Sequence, residues 1–232
     1  QHSSVRRQRQ MCIRDRENVL WFANNKEDAH EEPTIKRSRS HDYVSKEVIN
    51  VRENVGLIEV ANFSKHEFKG PDARKFLDHI MAGRLPKPGR ISLSPMLSYR
   101  GKLCGDLTVA CLDENEFMVF GSGAAQEMHR RWFESHLDKF NLSYSNRSDE
   151  YHGLSIAGPN SRKVLEKIVR DDVSNEKFKF RDSRRMFVGG VPAIINRISF
   201  TGELGYEIYV APHYQLKLYE ELMEAGKEFN IK

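Results

Sequence analysis

The stretch FKGPDARKFLDHI, Phe68 to Ile80, returns 88 residues later as IAGPNSRKVLEKI, Ile156 to Ile168. In both copies an apolar run stops at Gly-Pro. Pro71 and Pro159 suit the first helical position, where a fixed φ helps and no N–H is missed. Ala73, Phe76, Leu77, Ile80 and Met81 then follow at i, i+3, i+4, i+7 and i+8, and Val164, Leu165, Ile168 and Val169 fill the same slots in the second copy. That period buries one stripe of a helix. The interval is longer than the roughly 20 to 50 residues of a solenoid repeat. The pattern predicts one domain of two similar strand–helix halves, with a cleft between them.

The flanking sequence fills in each half. VGLIEVANFSKHEFKG predicts two short strands before the first helix, which Gly83 is expected to end in the left-handed conformation. LCGDLTVACLDENEFMVFGSG reads as a hairpin turning at Asp113-Glu114-Asn115. Alternation sets Leu107, Val109 and Cys111 on one face and Asp106, Thr108 and Ala110 on the other. A helix is expected over residues 124–140, with Ala125, Met128, Trp132, Phe133 and Leu137 on its apolar stripe. RRMFVGGVPAIINRISF is a hairpin on a Gly189-Gly190 turn, YEIYV a last strand, and Pro212 opens a last helix. The expected class is α+β: antiparallel sheets with flanking helices, not a parallel doubly wound sheet.

The chain has 232 residues, 39% of them apolar, and no apolar run approaches the ~18 residues that span a bilayer. Residues 1–16 carry five arginines against one aspartate, which accounts for the whole formal net charge of +4. The arginines could make a basic arm for nucleic acid or a transit peptide, but RQMCIRDR resembles translated sequencing-adapter sequence, so 1–16 is read as a non-native leader and no nucleic-acid partner is expected. Residues 17–50 read as an arm, pinned by Trp21 and Phe22 and with a short helix near Val44 to Val51; 51–232 is the domain. Three cysteines without a CxxC argue against a disulfide framework. The scattered histidines give no metal motif.

Three motifs bear on chemistry. GSGAAQ, Gly121 to Gln126, lacks the third glycine of a dinucleotide fingerprint and reads as a strand–helix turn offering backbone N–H groups. Asp106 sits in a strand, where aspartate is disfavoured; it is either a solvated edge carboxylate or a proton acceptor facing a cleft. Glu207, between Tyr206 and Ile208, is either an exposed hairpin acid or a carboxylate beside an aromatic ring. The latter could accept two N–H bonds from an amino-pyrimidine edge.

SFTGELGYEIYV resembles the Y-T-G-E-x-G-[YF]-E-[IV] signature of the aminomethyltransferase (glycine-cleavage T-protein) family. GLIEVANFSKHEFKGPDARKFL and SPMLSYRGKLCGDLTV resemble two further stretches of that family, in the same order. The flavin-dependent branch, dimethylglycine and sarcosine dehydrogenases, is the better match: ENVLWFA resembles its linking phrase, and LYEELMEAGKEFNIK the segment before its S-L-R-x-E-K motif. The chain departs from the pattern at Ser98, where the family shows Asn, at Ser122, where it shows Asn or Thr, and at Gly101-Lys102, where it shows Gly-Gly.

The resemblance implies a folate-binding domain with tetrahydrofolate as ligand. It implies Asp106 as catalytic proton acceptor and Glu207 as the pterin-holding carboxylate, with Tyr206, Met96, Gly121 and Ser122 around the folate. It further implies a fragment of a longer enzyme, whose FAD lies in a missing upstream domain and whose C-terminal barrel is also missing in cis. The implied reaction is capture of a methylamine-derived iminium as 5,10-methylene-tetrahydrofolate, in a cytoplasmic or mitochondrial-matrix setting. Alternatives are a stand-alone aminomethyltransferase and a non-catalytic folate-binding protein of iron–sulfur maintenance type, though the latter's K-G-C-[YF]-x-G-Q motif does not occur in the chain.

Overall fold

The computed structural model describes residues 10–13, 16–19, 21–25, 30 and 34–232. A short hairpin, β1 (Gln10–Ile13) and β2 (Arg16–Val19), comes first. Helix α1 (Ser40–Glu53) and strand β3 (Gly56–Glu59) lead to a first half of β4 (Ser64–Lys69), α2 (Ala73–Ile80), β5 (Arg90–Leu97), β6 (Leu103–Asp113), β7 (Glu116–Gly121) and α3 (Gln126–Glu134). Strand β8 (Ser143–Asn146) leads to the second half: β9 (His152–Ala157), α4 (Ser161–Ile168), β10 (Ser183–Val188), β11 (Val191–Asn196), β12 (Gly205–Val210) and α5 (Gln215–Gly226).

The two Gly-Pro segments make the same turn. Gly70 and Gly158 have φ of +136° and +127°, a region that L side chains rarely enter. Their carbonyls accept from the N–H groups of Ala73 and Ser161 at 3.1 and 3.0 Å. Pro71 and Pro159 lie in this turn, just ahead of the helical residues. Both helices end on an extended residue, Met81 or Val169, whose N–H closes the last turn and which then bridges to Met96 or Val188. Gly83 is therefore not a left-handed cap. It is packed against Ser94, whose Oγ would lie 2.7 Å from an added Cβ.

The sheets run β5-β6-β7-β4-β8 and β10-β11-β12-β9-β3, antiparallel throughout. The halves exchange edge strands. β3, which precedes β4 in the chain, completes the second sheet beside β9, while β8, which precedes β9, completes the first beside β4. One apolar cluster joins α2 and α3 to the first sheet through Phe76, Leu77, Phe133, Leu107 and Val109. A second joins α4 and α5 to the other sheet through Val164, Leu165, Leu218, Leu222 and Ile208. A third, with Ile91, Ala110, Phe120, Ile194 and Tyr209, fills the space between the sheets. The layering is helices, sheet, sheet, helices.

Two expectations shift. The helix over 124–140 is broken: α3 stops at Glu134 and a separate 3-10 turn covers Leu137–Lys139. Its inward residues are His129 and Phe133, while Met128 is exposed. In the arm, Trp21 is buried against Tyr43, with ring centroids 5.4 Å apart, but Phe22 is exposed. The expected boundary at residue 16 falls inside the β1–β2 pairing, where Ile13 faces Arg16. Residues 1–9, 14 and 15 lie outside the described residues.

Candidate functional site

Strands of the two five-stranded sheets have one face toward helices and one toward the other sheet, and the second face carries the polar chemistry. On β12, Tyr206, Ile208 and Val210 enter the helix-side core, so Glu207 and Tyr209 face the opposing sheet. The Tyr209 hydroxyl donates to Glu207 Oε2 at 2.9 Å. Oε1 takes no hydrogen bond from the described residues. Burial pushes the Glu207 carboxyl above the usual carboxylate range, partly offset by the Tyr209 bond. Burial and the adjacent carboxylate both push the Tyr209 phenol well up, so it remains a donor.

Asp106 stands on the corresponding face of the other sheet. On β6, Leu107, Val109 and Cys111 enter the helix-side core and Ala110 the inter-sheet cluster, which gives Asp106 the inter-sheet direction. It is exposed, and its register partner is Pro95 on the outer strand β5. Leu93 and Leu97 share that side of β5 and are exposed. The alternation expected for this hairpin is the one observed.

The other expected residues are differently placed. The ring beside Glu207 is Tyr209 and not Tyr206. Tyr206 points to the helix side, stacked on Phe178 at 5.9 Å, with its hydroxyl accepting from Arg162 Nε at 3.2 Å. Met96 is likewise buried on the helix side of its strand. Gly121 is buried where an added Cβ would lie 2.6 Å from Leu107 Cδ2, so it permits the turn without reaching the inter-sheet space. Ser122 is exposed, and its carbonyl accepts from the Ala125 N–H at 3.1 Å. Ser98 closes the β5–β6 loop by accepting from the Lys102 N–H at 3.1 Å, with Gly101 at φ +71°.

Sequence reasoning missed Tyr209, Lys65 and Asn196. Lys65 is fully buried on β4; its ammonium donates to the Ala61 carbonyl at 2.6 Å and lies 5.8 Å from the Tyr209 ring centre. Asn196, the register partner of Glu207, is fully buried, and its Nδ2 has no hydrogen-bond partner among the described residues. The available signal was parity: Glu207 and Tyr209 are two apart on a strand. A cavity of about 490 Å³ opens beyond Tyr209, lined also by Tyr151, Arg185, Phe187, Pro192 and Ile194. Among the described residues, no group of three or more His, Cys, Asp or Glu is placed to hold a metal ion. No described helix is long and apolar enough to cross a membrane.

Several proteins similar to this chain are enzymes by name. The chain is 35% identical over 214 residues to mitochondrial dimethylglycine dehydrogenase of Mus musculus, covering 91% of this chain and 24% of that one. It is 29% identical over 185 residues to an aminomethyltransferase of Thermoanaerobacter pseudethanolicus, covering 78% and 50%. In fold it resembles the glycine cleavage system aminomethyltransferase T of Bartonella henselae, with a TM-score of 0.72 and 22% identity over 82% of this chain and 50% of that one. The chain thus spans a quarter to a half of the length of these relatives. Its residues 14–232 match the GCVT N-terminal domain, and the chain belongs to that family.

Proposed function

We propose that this chain is the tetrahydrofolate-binding, one-carbon-transfer module of an FAD-dependent N-methyl amine dehydrogenase of the dimethylglycine or sarcosine type. The observation that supports this most is Glu207, a half-buried carboxylate with one oxygen held by Tyr209 and the other open. A pterin presents an amino group and a ring N–H side by side, and such an edge is matched by carboxylate oxygens. Similarity to dimethylglycine dehydrogenases over 91% of the chain supports the flavin branch. The flavin domain that would oxidise the amine, and the C-terminal barrel, belong to the rest of such a protein. The mitochondrial names of those relatives fit a matrix setting if the source is eukaryotic.

In this reading a folate nitrogen attacks the iminium carbon, and the demethylated amine leaves with one folate proton. The second folate nitrogen then closes the methylene bridge and sheds its proton to Asp106. The test uses the full-length protein, with formaldehyde and methylene-tetrahydrofolate measured at saturating folate beside a direct folate titration. Glu207→Gln turns one acceptor into a donor against the pterin N–H groups, a mismatch of ~1–3 kcal/mol, so affinity should fall roughly 5- to 150-fold. Asp106→Asn should leave binding intact and slow transfer by about 10²–10⁴-fold, with formaldehyde released instead. Wild-type transfer in Asp106→Asn would make this aspartate a solvated strand residue.

A further inference from the structure

We propose that Tyr209 is the positioning residue of the Glu207 carboxylate: by donating its hydroxyl to Oε2 it fixes the side chain and leaves Oε1 as the acceptor that meets the ligand. The inference rests on the folate reading and adds to it a residue that need not touch folate. A glutamate has three soft dihedrals, and a carboxylate free to rotate must be ordered when the ligand arrives. Here the ordering is done beforehand, by a phenol that itself has no freedom.

The packing around Tyr209 shows why. Phe120 of the opposing sheet stacks on its ring at 4.5 Å with planes 28° apart. The Lys65 ammonium lies over the ring. Its register partner on β9 is Gly153, where an added Cβ would come within 2.6 Å of Tyr209 Cε1 and 2.8 Å of Val60 Cγ2. Gly153 has ordinary backbone dihedrals, so its lack of a side chain serves the ring and not a turn. Tyr209 is 1% exposed, and its ring sits in a slot made by both sheets. Glu207 is therefore anchored through Tyr209 to the interface of the two halves.

The bond also sets the protonation of Glu207. Burial favours the neutral acid, and the Tyr209 hydroxyl favours the carboxylate. The titratable groups around Tyr209 are Lys65 from β4, over its ring, and Tyr151, Asp171 and Arg185, which line the same cavity. The register partners Asn196 on β11 and Ser155 on β9 carry no charge. Because the carboxyl pKa is raised, affinity for an N–H donor ligand is lost as pH falls through a range above that of an ordinary carboxylate. Without the Tyr209 hydroxyl that limb moves to still higher pH.

The test uses the whole chain and three variants: Tyr209→Phe, Glu207→Gln and the double. Tetrahydrofolate affinity is measured anaerobically from pH 5 to 9, and the Glu207 carboxyl is titrated by ¹³C NMR without ligand. Tyr209→Phe keeps the ring in its slot. It should weaken binding roughly 3- to 30-fold at pH 8 and raise both the acid limb and the ¹³C midpoint. The double variant should bind no worse than Glu207→Gln alone, because the hydroxyl acts only through the carboxylate. An unchanged ¹³C midpoint, or additive losses in the double, overturns the proposal. If the wild type binds no folate while the midpoint still moves, the folate reading fails and the Tyr209–Glu207 coupling stands.

Discussion

His66 and His129, two titratable side chains of the first half, are sealed in its core. His66 lies on β4 among Phe133, Tyr144 and His129, with Nδ1 paired to the Tyr144 hydroxyl at 2.9 Å and Nε2 buried without a hydrogen-bond partner among the described residues. Burial, and then the neighbouring His129, push its pKa down to about 3. His129 is lowered as well, chiefly by burial. The folded state thus refuses a proton that the unfolded chain takes up below about pH 6.5. Stability contributed by these neutral rings is intact above that pH and is lost as pH falls toward 3, by up to about 1.4 kcal/mol per unit for one histidine. His66→Asn keeps a polar atom near the Nδ1 position and removes the titration. It should be less stable than wild type at pH 7.5, yet its urea midpoint should fall less steeply between pH 6.5 and 4. Parallel curves would exonerate His66.

At the scale of elements, the repeated turn depends on two glycines for more than their dihedrals. An alanine at position 158 would enter a φ near +127° and bring Cβ to 2.6 Å from the carbonyl oxygens of both Asn54 and Val51. Backbone cannot retreat as a side-chain tip can. Gly158→Ala should cost at least about 2 kcal/mol, a fall in Tm of about 4–8 °C for a domain of this size. Gly190, at φ +78° in the β10–β11 turn, has open space around its missing Cβ. Gly190→Asn, which tolerates the left-handed region, should shift Tm by about 2 °C or less. A similar loss in both variants would assign the cost to dihedral strain and not to the Gly158 contact. Sequence reading found these turns and most strands of the two five-stranded sheets but passed over β1, β2, β5 and β8. RISLSPML alternates from Ile91 to Ser94, but Pro95 breaks the strand signal, and that residue is one an outer strand tolerates. SYSN is four residues long and becomes a strand only because β4 pairs with it.

Over the whole molecule the exchange of edge strands makes each half incomplete without the other. Residues 150–232 alone would expose the β9 edge that β3 covers, and the apolar face that holds Ile194 and Tyr209. An open edge beside an apolar face is an aggregation template. Co-expressed pieces 34–149 and 150–232 should elute as a one-to-one complex with native circular dichroism, whereas 150–232 by itself should aggregate. A soluble, folded monomer of 150–232 would show that β3 and the opposing sheet are dispensable.

The sequence by itself determined what depends on neighbours along the chain. Two Gly-Pro helices of matched period, the Gly189-Gly190 turn and the alternation that turns Asp106 away from Leu107 are all local consequences of dihedral preference and side-chain spacing. It also carried the order of motifs that marks the family. Only the tertiary structure decided which face of β12 looks where. Tyr206, Ile208 and Val210 on one side and Tyr209 on the other are all apolar enough to be buried. Parity alone therefore could not say which side meets helices and which meets the second sheet. That choice follows from α4 and α5 covering one face, which leaves Tyr209 to stack on Phe120 and to hold Glu207 between the sheets.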